Sequence, residues 1–236
     1  YIKLISNFQI FKFSKMLDKE KSLNFIHIPR TAGTYIEYYL HRQIYNNYKR
    51  IKPQNAKSIV DLLHENKSDN PEGLDGFHQT LQDNPNYKHI FCVIRDPYEQ
   101  RKSIYRYMKY QHDYKKSFDE YIQSQDFKFL PRSNNILQKE NKSYYSKFGL
   151  PQSDYIQIKK NSSYIDLNKV NIFRFEDGIE PVLNYIDKIY KRKIPHDNNK
   201  INTSPEEKIN MSPKTKAIIR NYYKKDFDLI KQIKYT

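Results

Sequence analysis

Tryptophan is absent from this 236-residue chain, cysteine occurs once and glycine five times. The lone cysteine, Cys92, excludes an intrachain disulfide, and with it a disulfide-stapled secreted scaffold and any CxxC zinc or redox motif. The compartment expected from that usage is reducing, the cytoplasm. No apolar run reaches the roughly 18 residues of a membrane-spanning helix, and no apolar segment leads into a small-residue cleavage site. Neither an internal period of about 20 to 50 residues nor a Gly/Ser-rich or Pro-rich linker divides the chain. A single domain over residues 1–236 is expected, with 1–22 as an N-terminal extension.

What is plentiful is positive charge and aromatic surface. Lys and Arg number 42 against 27 Asp and Glu, a net charge of +15. Charge of that size speaks to association, and it points to an anionic partner: nucleic acid, a membrane surface, a phosphorylated nucleotide or an acidic polysaccharide. A nucleic-acid-binding domain, the non-catalytic alternative, predicts a helix-turn-helix, zinc or ribonucleoprotein motif; none is present, so no nucleic-acid partner is expected. Aromatic residues make up 15% of the chain (22 Tyr and 13 Phe), far more than a disordered tail carries, so the chain is expected to fold.

With glycine scarce, each one punctuates. Leu23-Asn-Phe-Ile-His-Ile28 is a short β-rich apolar run, followed by the loop Pro29-Arg-Thr-Ala-Gly-Thr34 and by Tyr35-Ile-Glu-Tyr-Tyr-Leu40 at helical spacing. The same grammar returns at Lys88-His-Ile-Phe-Cys-Val-Ile94, whose unbroken apolar character suits a strand buried on both faces of a parallel sheet. Arg95-Asp-Pro97 and a helix through about Tyr110 follow, with Pro97 suited to the first helical turn. Further strands are predicted at 154–158 and 170–175, and helices from about Gly178 to Tyr190 and from Ser212 to about Ile233, the last with Ser212 as N-cap and Pro213 at the first helical position. Strands alternating with helices predict an α/β fold: a P-loop-like three-layer arrangement with a central, mainly parallel sheet flanked by helices.

A strand ending in a tight loop that opens a helix suits a phosphate, because free backbone N–H groups and the helix dipole both point at the anion. In Pro29–Thr34, Gly33 allows close backbone approach, Arg30 supplies a fixed charge, and Thr31 and Thr34 offer hydroxyls. The loop fails the nucleoside-triphosphatase pattern GxxxxGK[ST], and no magnesium carboxylates are visible. Both absences count against the other enzymatic alternative, a kinase-like P-loop nucleotide-binding protein. The string Phe25-Ile-His-Ile-Pro-Arg-Thr-Ala-Gly-Thr34 resembles the 5′-phosphosulfate loop of sulfotransferases, commonly FIHIPKTAGT in the carbohydrate branch that includes the heparan 2-O and chondroitin enzymes. A second element agrees. Arg95 and Ser103, eight positions apart, match the family's RxPxxxxxS site for the 3′-phosphate, with Arg101 and Arg106 adding charge nearby. Segments 150–156, 173–177 and 202–227 are similar to the family's downstream pattern, so the resemblance runs from about Leu23 to Phe227.

The resemblance implies a donor, 3′-phosphoadenosine 5′-phosphosulfate, released as 3′-phosphoadenosine 5′-phosphate. It implies that Arg30, Thr31, Ala32, Gly33 and Thr34 hold the phosphosulfate and that Arg95 and Ser103 hold the 3′-phosphate. It also implies an acceptor hydroxyl, on a carbohydrate or another, possibly anionic, molecule. Arg30 stands where the family usually has lysine; the charge is kept and a bidentate fork is added. Transfer needs a base, in-line positioning and positive charge at the leaving phosphate, with no metal. His78, between the two motifs, stands where the similar enzymes carry their catalytic histidine. Glu37 is the fallback base, against its reading as an exposed helix glutamate, and His27 reads as packing. Tyr105, Tyr107 and Tyr110, with Arg106 and Lys109, offer a wall to a sugar, against the commoner reading of half-buried packing. Cys92 reads as a small core residue.

Overall fold

The computed structural model describes residues 17–18, 23–45, 88–111, 113–128, 148–156, 169–195, 205 and 207–233. Four strands among them form one sheet in sequence order: β1 (Leu17–Asp18), β2 (Leu23–Ile26), β3 (His89–Ile94) and β4 (Val170–Arg174). β2, β3 and β4 are parallel, with Phe25 opposite Phe91 and Cys92 opposite Ile172. Short β1 pairs antiparallel with β2, so part of the expected N-terminal extension belongs to the sheet.

The apolar runs are continuous because both sheet faces are covered. Leu23, Phe25, Phe91 and Val93 pack with Ile36, Tyr39 and Leu40 of α1 (Gly33–Tyr45) and with Val182, Leu183 and Ile186 of α5 (Glu180–Tyr190). The alternate side chains, Ile26, Ile90, Cys92 and Ile94, pack with Tyr155 and Ile156 of α4 (Gln152–Ile156) and Leu229 of α7 (Lys224–Gln232). Full burial of each such side chain contributes about 1.5 to 3 kcal/mol. The chain is thus mixed α/β, with a three-stranded parallel sheet flanked by helices. Beside it, α2 (Pro97–Gln111), α3 (Phe118–Gln123) and α6 (Pro213–Tyr222) close an aromatic-rich cluster around Ile104, Tyr105, Tyr121 and Tyr223.

Two expected elements differ. Residues 154–156, read as the start of a strand, belong to helix α4, because the buried Asp226 carboxylate accepts the N–H groups of Gln152 and Ser153 and so caps the turn. The single C-terminal helix is two, α6 and α7, parted at Tyr223. There the phenol donates to the Gly149 carbonyl at 3.0 Å and accepts from Arg101 Nη1 at 2.8 Å. Ser212 caps α6, accepting from the Thr215 N–H at 3.2 Å, and Pro213 follows as expected. No helix among the described residues is long and apolar enough to cross a membrane.

Candidate functional site

Past Ile26 the chain must leave the sheet and enter α1 within six residues, and it does so through left-handed backbone at Arg30 (φ 63°) and Ala32 (φ 66°). That region costs an L-residue roughly 1 to 2 kcal/mol, so it persists only where the surroundings hold it. Here they do. Gln100 Nε2 donates to the Pro29 carbonyl at 2.8 Å, Arg95 Nη1 to the Arg30 carbonyl at 3.3 Å, and Thr31 Oγ1 to the Ile28 carbonyl at 2.8 Å. The Ala32 carbonyl accepts from Tyr35 and Ile36 to start α1. Among the described residues the N–H groups of Thr31, Ala32 and Gly33 meet no acceptor. Fully buried Thr31 has its only O–H engaged, so what it can offer an anion is its N–H rather than the hydroxyl the sequence suggested.

Gly33 is required for a reason the sequence concealed. A Cβ there would lie 2.0 Å from His27 Cδ2 and 2.1 Å from Nε2. The His27 ring braces the loop from behind, and its Nδ1–H donates to Glu37 Oε1 at 2.7 Å. Glu37 is therefore not an exposed helix glutamate: it is 2% exposed, in a buried pair behind the loop. His27 is the packing residue the sequence indicated.

Arg95 follows the last residue of β3, and Ser103 is buried on α2. The two motifs meet: Arg30 Nε donates to Ser103 Oγ at 3.2 Å, while Arg95 reaches the carbonyl of Arg30. The Arg30 guanidinium lies 5.3 Å from the centre of the Tyr107 ring, and Arg95 lies 4.2 Å from that of Phe175, in the turn after β4. Burial lowers Arg30 to about 10, with the Tyr107 phenol opposing and Arg95 lowering it further. Burial lowers Arg95 as well, against Glu99, Glu176 and Asp96 and helped by Arg106. Among the described residues Arg95 and Arg106 make no ion pair with a carboxylate. The like charges so gathered disfavour one another, and an anion between them relieves that repulsion.

Arg101 does not join them. It is fully buried on the far side of α2, where its guanidinium donates to the carbonyl of Phe148, to Tyr223 Oη and to Gln100 Oε1, each at 2.8 Å. Tyrosines of the expected wall divide. Tyr105 is core and donates to the Lys116 carbonyl, Tyr107 stacks on Phe148 under Arg30, and Tyr110 is 45% exposed. Cys92 is core, as expected. His78 lies outside the described residues, as do 202–204.

Sequence reasoning missed the residues that support the site: Phe175 under Arg95, Gln152 and Asp226 behind it, and Asp96, which caps α2 by accepting from the N–H groups of Tyr98 at 2.8 Å and Glu99 at 3.1 Å. Only the last had a local signal, an Asp directly before Pro97 at a helix start. The arrangement amounts to a loop of backbone donors and two half-buried guanidinium groups, a set chemically suited to an anion. Compared with protein-family models, curated proteins and solved structures, the chain matches none.

Proposed function

We propose that this protein is a sulfotransferase on a P-loop-like fold, moving the sulfuryl group from 3′-phosphoadenosine 5′-phosphosulfate to an acceptor hydroxyl, on a carbohydrate. The observation that carries this reading is the meeting of two motifs far apart in sequence. The strained loop 29–34 and the Arg95–Ser103 pair share hydrogen bonds through Arg30. In this reading the N–H groups of 31–33 and the Arg30 guanidinium hold the 5′-phosphosulfate, while Arg95 and the Ser103 hydroxyl hold the 3′-phosphate.

The acceptor oxygen attacks sulfur in line, its proton passes to His78, and the S–O bond to the 5′-phosphate breaks with the electron pair left on that phosphate. The charge growing there is stabilised by Arg30 and the loop, so the positive field acts where the transition state gains charge. In this reading Glu37, buried and paired with His27, holds the loop rather than serving as the base.

Calorimetric titration tests the donor site. The parent is expected to bind 3′-phosphoadenosine 5′-phosphate at micromolar concentration, with AMP, and Arg95→Ala, each roughly 10- to 100-fold weaker. Equal binding of AMP, or no binding by the parent, rules the reading out.

A further inference from the structure

Gln152 opens α4 with its side chain turned back onto β3. Its Oε1 accepts from the Arg95 N–H at 2.8 Å and its Nε2 donates to the Arg95 carbonyl at 2.7 Å, so one amide satisfies both main-chain groups of the residue leaving the strand. In turn the N–H groups of Gln152 and Ser153 donate to Asp226 Oδ2 and Oδ1 at 2.8 and 2.9 Å. Four hydrogen bonds thus link α7 through α4 to Arg95.

All three supporting residues are buried, beside Tyr155, Ile156 and Leu229. Burying an amide and a carboxylate in an apolar layer is costly even when each is bonded. The Asp226 carboxyl is raised above its ordinary range by that burial, against the Ser153 and Gln152 N–H groups that favour its charge. Apolar side chains would hold α7 on α4 with less penalty, but they would not fix the main chain of residue 95. The guanidinium of Arg95 starts from that main chain, lies over Phe175 and donates to Arg30.

We infer that Gln152, held by Asp226, is a positioning residue that aims the Arg95 guanidinium at a bound anion. This rests on the anion-site reading of Arg30 and Arg95, though not on the identity of the donor. Neither Gln152 nor Asp226 touches the anion, so their loss acts through Arg95.

The test titrates two probes, 3′-phosphoadenosine 5′-phosphate and inorganic pyrophosphate, into the parent, Gln152→Leu and Gln43→Leu well below their melting midpoints. Gln43 is the stability control. Its Nε2 donates to Asp187 Oδ1 at 2.6 Å and to the Arg192 carbonyl at 2.9 Å on the α1–α5 face, away from the site. Gln152→Leu is expected to bind both probes about tenfold more weakly, while Gln43→Leu binds as the parent does, and exchange of the Arg95 amide hydrogen should speed up only in Gln152→Leu. Parent-like affinity in Gln152→Leu overturns the positioning role and leaves the anion site standing. A parent that binds pyrophosphate with no preference for the 3′-phosphonucleotide sinks the sulfotransferase reading, and the positioning role is then judged on pyrophosphate. A parent that binds neither overturns both. Should Gln152→Leu fail to fold, Asp226→Asn is judged by the same criteria.

Discussion

Strands β2 and β3 lie side by side, run in the same direction and each feed a helix, yet the chain leaves them by different means. After β3 the helix start is local: Asp96 caps α2, Pro97 occupies its first position, and no backbone between Ile94 and Tyr98 is left-handed. After β2 the turn passes twice through left-handed backbone at non-glycine residues, and its shape is held by Gln100, Arg95 and His27, all from outside the loop. The helix after β3 thus carries its own cap, although Gln152 holds the main chain of Arg95 and Glu176 the Asp96 N–H from elsewhere, whereas the strained loop after β2 is shaped throughout by residues outside it. The loop after β2 leaves main-chain N–H groups without an acceptor among the described residues and the turn after β3 carries the Arg95 guanidinium, so the strained backbone coincides with the open backbone donors.

Gly33→Ala should break the contrast most severely. The new methyl meets a ring pinned by Glu37, and we expect a loss of about 2 to 3 kcal/mol in chemical denaturation. Adding His27→Ala removes the obstacle, so the double variant should lose clearly less than the two single losses combined; strict additivity would mean that the ring is not the obstacle. Asp96→Ala probes the local turn and should cost about 1 kcal/mol, the usual value of a cap, with no change in the β2 loop. A loss near zero would show that Pro97 and packing alone start α2. The smallest effect is expected at Ala32→Gly, which relieves a left-handed residue and should raise stability by a few tenths to about 1 kcal/mol, read as an upward shift in thermal midpoint. A destabilised variant would indicate that the alanine methyl packs more favourably than the strain it imposes.

Much of this comparison is legible in the sequence. The apolar runs at 23–26 and 89–94 are strands because only a parallel sheet covered on both faces buries such runs whole, 170–174 pairs along β3 with only Val170 buried, and Ser212-Pro213 marks a helix start by its own chemistry. The segment around Tyr155 was misread because so short an apolar stretch has no decisive period, and the carboxylate that makes it helical arrives 74 residues later from Asp226. Arg101 and Arg106 are both basic residues on α2, and their spacing says nothing about which one the aromatic cluster will bury. Glu37 reads as exposed in the sequence because its partner His27 is ten residues back, just past the end of β2.

By itself the sequence determined the strands β2, β3 and β4, the helices that follow them, the mainly parallel pairing, and the two motifs rich in groups that suit an anion. These are local consequences of hydrophobic period, turn chemistry and residue type. Only the tertiary structure decided that Arg30 bonds to Ser103, that Gly33 exists to clear a histidine ring, and that Gln152 and Asp226 stand behind Arg95. Each of those facts is a distance between groups on different elements, set by how the helices pack on the sheet, and no single segment of chain contains it.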